Sequence, residues 1–294
     1  MNRTAVTLLR REIWEHPALY IAPLVVLALC LVGVIGKIGY LGGFVEDHGA
    51  EDVGLILDLG VAGFVVPFLM VLLVVTPLYL LDCLYSERKD RSILFWKSMP
   101  VSDTSTVLSK LAVALLLAPL LVYVAATATQ VVSFLIGHFA IALSSDDGPS
   151  LLHSAAAVVD AQAVLVYTLL AVSLWYAPVY GWLLLVSVWA RRVPFLWATL
   201  VPIVLIVLEA EILRSRHVAD WIGYRIAGVY RTGYEIPFWM QSGDHDAFFD
   251  NAPAAVDLLA PGQLLASTGL WSGLALGAAF TTGAILLRRY RDDA

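Results

Sequence analysis

Long apolar runs alternate with short polar ones along the whole chain. Six runs, 18–36, 59–81, 111–137, 162–189, 193–213 and 264–287, are long enough to cross a hydrocarbon core, which takes about 20 residues of helix. The fifth carries Glu209 and Glu211 at its far end. Backbone polar groups in lipid must find partners within their own segment, so these runs are expected to be helices. The alternating segments of about ten residues that mark a membrane β-barrel do not occur. The pattern predicts an all-α integral membrane protein with six transmembrane helices in one transmembrane domain, 1–294. Mean hydropathy is +0.82, and only 14% of residues are charged against roughly 25% in soluble domains. The first run is expected to stay as a span, because no small-x-small cleavage signature follows it.

Charge sets the expected orientation. With the N-terminus inside, 13 of the 18 Lys and Arg residues fall on the cytoplasmic side and 16 of the 24 acidic residues fall outside. Basic residues concentrate on cytoplasmic loops. Both termini are therefore expected in the cytoplasm, and the protein is expected to be a multi-pass protein of the cytoplasmic (inner) membrane. The net charge of −6 belongs to the outer loops and gives no signal for nucleic acid.

Several chemistries have no foothold in the sequence. The central parts of the spans hold no Asp, Glu, Lys or Arg, whereas ion-coupled transporters place ionisable groups there. Metalloprotease and serine-hydrolase motifs are missing, and so is a P-loop: Gly33 to Lys37 has the wrong spacing. Cys30 and Cys83 fall at different membrane depths, with no metal-ligand spacing. No catalytic residue, metal or bound cofactor is expected.

The polar stretch 82–103 between the second and third runs is too charged to span and too aromatic for a plain linker. It reads as a surface helix over 86–100. Ser86 suits its cap, Glu87 its first turn, and Pro100 its end. Ser102 or Asp103 can cap the helix that enters span three. Tyr85 and Trp96 would anchor it at the interface, with the charged half, Glu87 to Arg91, facing solvent or a partner. The other reading is a positive-inside loop that serves only topology. Residues 1–17 form an amphipathic segment: Leu8, Leu9, Glu12, Ile13 and Trp14 recur at helical spacing around Arg10 and Arg11, and His16-Pro17 ends it.

The phrase from Glu87 to Ser98, followed by Pro100 and the Ser102-Asp103 pair, resembles permeases of the ABC type-2 class. The layout of an N-terminal amphipathic helix, six spans and an outer segment before the last span is similar to that class as well. The resemblance implies the type V exporter fold. It makes 86–100 a coupling helix that docks into an ATP-binding subunit through Glu87, Arg88, Asp90, Arg91, Phe95 and Trp96. Residues 1–17 become a connecting helix that touches the same subunit through Arg10, Arg11 and Trp14; from the pattern alone a simple membrane anchor fits equally. Function follows as expectation: a permease subunit of an ABC exporter, in membrane lipid, paired with a second copy or a paralogue. Two separate ATP-binding subunits would hold ATP and Mg. The alternative is a membrane sensor or immunity-type protein that recruits a cytoplasmic partner through the same helix.

Residues 214–262 form an extracytoplasmic segment rich in Trp, Tyr and Phe, either a lid over the exit or a passive cap. Its exposed turn, Ser242 to Asp246, offers carboxylates and a His. Glu209 is either an interfacial carboxylate or a gate. Gly269, Gly273 and Gly277, spaced four apart, present one small-residue face for helix packing.

Overall fold

The computed structural model describes residues 3–48, 63–90, 102–144, 151–235 and 255–290. Among these residues the chain is helical almost throughout, and Tyr234 and Leu259 form an isolated β-bridge. The expected turn at Ser242 to Asp246 lies outside the described residues, as do 91–101 of the surface stretch.

Helix α1 (Arg3–Glu15) stops where Pro17 disfavours helical geometry at His16, and α2 (Ala18–His48) begins at once. The helix runs on past residue 36, while its membrane-spanning stretch is Ala18–Gly36, as expected. Helix α3 (Val65–Asp82) has Pro67 in its first turn, where a missing N–H costs nothing. Then come the short α4 (Tyr85–Lys89) and α5 (Asp103–Ala112). Ser102 caps α5 as the sequence suggests, its Oγ accepting from Ser105 N at 3.1 Å. Helix α5 passes through a π-turn, Val113–Leu117, into α6 (Ala118–Ser144). The wide turn accommodates Pro119, whose ring would otherwise meet the carbonyl four residues back.

Span four is not one helix. It consists of α7 (Leu151–Trp175) and α8 (Ala177–Trp189), broken at Tyr176 because Pro178 cannot supply the next helical hydrogen bond. After a tight turn come α9 (Pro194–Leu208) with a π-turn Glu209–Leu213, α10 (His217–Thr232), α11 (Pro261–Ala266) and α12 (Thr268–Tyr290). The turn into α9 places Val193 at a φ of 46°, a left-handed conformation that strains a β-branched residue.

Among the described residues six helical segments are long and apolar enough to cross a membrane, and α8 is a shorter apolar helix that continues the fourth. They fit a multi-pass membrane protein. The faces of α3 illustrate why: Phe68, Leu72, Tyr79 and Leu80 are buried, while Val66, Met70, Val74 and Leu78 are exposed. A helix that is apolar all round, half against protein and half bare, suits lipid rather than water. Helix α9 leaves most of its apolar side chains exposed, and α2 exposes one face over residues 18–36, including Ile21, Leu24, Val25, Leu29 and Val32.

Helix α8 packs along α12 through glycines. A Cβ at Gly277 would lie 2.8 Å from the Ala177 carbonyl oxygen and 3.0 Å from Pro178 N. Between α6 and α7 the tie is polar: Thr127 donates to Gln162 Oε1 at 2.9 Å, and Gln162 Nε2 donates to Gln130 Oε1 at 2.6 Å. Close backbone approach and side-chain hydrogen bonds both hold helices together where the hydrophobic effect cannot.

Gly277→Val should destabilise the bundle by about 1–3 kcal/mol, the usual range for overpacking. Gly283→Val, whose nearest obstacle is 3.4 Å away at Leu185, should be tolerated. Thermal unfolding of the two variants in detergent, followed by size-exclusion chromatography, checks the contrast.

Candidate functional site

Lys110 lies in the last turn of α5, Arg288 in the last turn of α12, and both side chains are buried. Buried cations need paired carboxylates, because removing them from water costs several kcal/mol each. The chain supplies two from different elements. Glu12 occupies the inward face of α1, beside the buried Leu8, and Glu87 lies in the first turn of α4.

Glu87 is the hub. Its Oε1 accepts from Lys110 Nζ at 3.1 Å and from Arg11 Nη2 at 3.1 Å. Its Oε2 accepts from Arg288 Nη1 at 2.8 Å. Glu12 Oε1 takes the second contact of Lys110, at 2.9 Å, and Glu12 Oε2 accepts from the Tyr79 hydroxyl at 2.8 Å. Arg288 Nε reaches Asp103 Oδ1 at 3.0 Å, and Arg11 Nε reaches the exposed Glu15 at 2.6 Å. Apart from the exposed Glu15, the cluster sets Glu12, Glu87 and Asp103 against Arg11, Lys110 and Arg288. The cluster joins α1, α3, α4, α5 and α12 at one end of the bundle.

Helix α4 is bolted on its other side to the end of α8. Ser187 Oγ accepts from Leu84 N at 3.2 Å and Tyr85 N at 3.0 Å, and donates to Leu81 O at 2.8 Å. Arg88 Nη2 donates to the carbonyls of Ser187 and Ala190, both at 2.7 Å. Ser187 thereby caps the start of α4, and Arg88 caps the negative end of α8. The helix consequently starts at Tyr85, one residue before the expected Ser86 cap, because the capping oxygen comes from another helix.

The sequence places Glu87 and Arg88 toward solvent or a partner, and here the structure differs. Glu87 is turned inward and 4% exposed, because Lys110 and Arg288 converge on it. Asp90 and Lys89 do face outward. Arg91, Phe95 and Trp96 lie outside the described residues. Of the connecting-helix residues, Arg11 joins the cluster, while Arg10 stacks over Trp14 at 4.8 Å on the exposed side of α1. Burial works against the Arg11 cation, but Glu15, Glu87 and Glu12 outweigh it and hold its proton more firmly than usual. His16 packs edge-on against the Tyr79 ring at 4.8 Å. Burial, helped by the charge of Lys110, lowers its pKa against the opposing pull of Glu12, Asp82 and Glu15.

At the far end of the bundle, Glu209 is engaged as a helix cap. Its Oε1 accepts from Ser215 Oγ and His217 N, and its Oε2 from Val218 N, so the carboxylate closes the N-terminus of α10. The glycine row divides its work. Gly277 admits the backbone of α8, whereas Gly269 and Gly273 admit the Tyr224 and Arg225 side chains of α10.

Glu12, Tyr79, Asp103, Lys110, Ser187 and Arg288 escape a sequence search for site residues. A usable signal existed for two of them: Glu12 is a carboxylate on the apolar face of an amphipathic helix, and Lys110 directly abuts an apolar run. Ser187 gives none. No family model matches the chain, and no curated protein or solved structure matches it either.

Removing one partner of a buried pair leaves the others uncompensated. Glu87→Ala should therefore cost about 3–5 kcal/mol, while Glu15→Ala at the exposed end of the same network should cost about 0–1 kcal/mol. Thermal unfolding in detergent distinguishes them. Stability should also fall with acidity through His16. Its folded pKa is lowered, so the unfolded chain binds more protons, and the contribution of neutral His16 is lost as pH drops below its ordinary value of 6.5. His16→Gln should flatten the stability profile between about pH 7.5 and 5.5, read as the midpoint of thermal unfolding.

Proposed function

We propose that this chain is the membrane-spanning permease subunit of an ATP-binding-cassette exporter. It works beside a second copy or a paralogue and is driven by two separate ATP-binding subunits that hold ATP and Mg. The observation that carries this reading is the way α4 is anchored. A helix of five residues between spans two and three has no stability of its own. Here it is gripped by buried ion pairs and reciprocal capping that reach five other helices. That construction suits a lever: a push on the polar stretch beyond α4 would be passed to α1, α5, α8 and α12 together.

In this reading the cluster lies at the cytoplasmic face, where the Lys and Arg bias also puts both termini. The outward residues Lys89 and Asp90, the stretch containing Arg91, Phe95 and Trp96, and the Arg10–Trp14 face of α1 meet the ATP-binding subunit. Glu87, Arg88 and Arg11 act as positioning residues behind that surface. The chain itself contributes no catalytic group; closure of the ATP-binding subunits supplies the work, and the buried cluster keeps it from being lost in bending α4. The charge-free middles of the spans support movement of cargo past apolar and weakly polar walls rather than ion-coupled exchange.

Affinity purification of the tagged protein in mild detergent tests the proposal. A stoichiometric P-loop ATPase should accompany it. Arg91→Glu, or Lys89→Glu with Asp90→Lys, should reduce the ATPase at least about tenfold, equivalent to about 1.4 kcal/mol, with thermal stability unchanged. A monodisperse protein that carries no ATPase, or carries another partner on the same stretch, overturns the exporter reading and favours recruitment.

A further inference from the structure

The second buried charge lies far from the first. Gly269, which accepts a hydrogen bond from Arg225 Nη2, precedes Arg288 by 19 residues on the same helix, about 28 Å at 1.5 Å per residue. Arg225 belongs to α10 and is 2% exposed. Its Nη1 donates to the Trp175 carbonyl at 3.5 Å, and its guanidinium lies 4.9 Å from the Trp175 ring and 5.4 Å from the Trp221 ring. Trp175 Nε1 donates back to the Arg225 carbonyl at 2.9 Å, and the Tyr176 hydroxyl donates to the Ile226 carbonyl at 2.7 Å.

Two features set this cation apart from the cluster. Among the described residues no carboxylate stands within ion-pair distance of it, and its Nε has no hydrogen-bond partner. It is held by carbonyl dipoles and aromatic faces, each of which can be given up separately, whereas a buried carboxylate partner would fix it. Its grip also falls on the one place where span four is already broken. Trp175 and Tyr176 are the residues at the break before Pro178, and Gly269 lies in the first turn of span six.

The Glu209 carboxylate holds the start of α10, and the Tyr167 hydroxyl donates to the Gly233 carbonyl just past its end at 2.7 Å, so it is the middle of α10 that depends on few buried side chains. Apart from Arg225, its buried residues are Gly228 and Val229, while Trp221, Tyr224, Ile226 and Tyr230 remain exposed. The space for the guanidinium is made by glycine: a Cβ at Gly273 would lie 2.6 Å from Arg225 Cζ.

The geometry points to Arg225 as a latch that holds α10 down across the break in span four and against the start of span six. A bend at Tyr176, or a shift between the end of α7 and the start of α12, must pull the guanidinium out of its seat. Release frees the middle of α10 without disturbing the packing of α8 on α12 at Gly277. The latch is a property of the fold and does not depend on what drives the movement, so it stands or falls apart from the exporter reading.

The test uses purified full-length protein in detergent, with Cys30→Ser and Val229→Cys. Val229 and the native Cys83 are both fully buried, so Cys83 serves as an internal control at the other end of the bundle. With Arg225 present, a bulky maleimide should label neither position. Arg225→Met should raise labelling at position 229 at least about tenfold, leave Cys83 protected, and shift the thermal midpoint by no more than a few degrees. Gly273→Ala, which crowds the guanidinium from the other side, should do the same to a smaller degree, and Arg225→Lys should restore protection only in part. Unchanged labelling at position 229 in both Arg225→Met and Gly273→Ala overturns the latch. So does parallel exposure of Cys83 with collapse of the thermal midpoint, which would make Arg225 a general stability element.

Discussion

One carboxylate organises the basic end of this molecule. Glu87 is buried against Lys110, Arg288 and Arg11, which arrive from three helices separated by most of the chain. Any one of these charges alone would be expelled from such a site by its desolvation cost. Together with Glu12 and Asp103 they cancel, and the need to cancel fixes where α1, α4, α5 and α12 meet. A pairing of this kind adds less to stability than its number of contacts suggests, since each contact first repays the removal of water. Its main effect is on arrangement: a helix end displaced from the cluster strands a charge.

That requirement explains why a helix as short as α4 exists at all. Its start is capped by Ser187 of α8, Arg88 caps the end of α8 in return, and Glu87 ties it to the cluster. At the opposite end of span six the contacts are of another kind. Arg225 rests on carbonyls and indole faces, with no carboxylate among the described residues within ion-pair distance, directly over the break in span four. Between the two ends, Gly277 lets α8 and α12 run in backbone contact. Span six and α8 are thus packed together along Gly277, with ion pairs at one end of span six and the Arg225 contacts at the other.

Much of the secondary structure was legible because its signals are local. A window of about 20 apolar residues is enough to mark a span, and Ser102 marked the start of α5 through a cap three residues long. The break at Tyr176 was less legible: Pro178 announced a kink, but prolines at 67 and 119 carry the same letter and sit in a first turn and beside a π-turn. The site was legible in part. The stretch beginning at Glu87 stood out for its polarity, yet which way Glu87 pointed depended on cations outside that stretch.

The sequence by itself determined that this is a helical membrane protein with six apolar segments, since hydropathy adds up over neighbouring residues and needs no knowledge of the fold. It also located the polar stretch between spans two and three. Only the tertiary structure decided that Glu87 faces inward to Arg288, 201 residues away. It alone showed that Ser187 caps a helix from another part of the chain, and that Gly269 and Gly273 make room for α10 rather than for another span. These outcomes rest on which buried charges and orphaned backbone groups are brought within a few ångströms, and that distance is set by the packing of whole helices, not by the order of residues along any one of them.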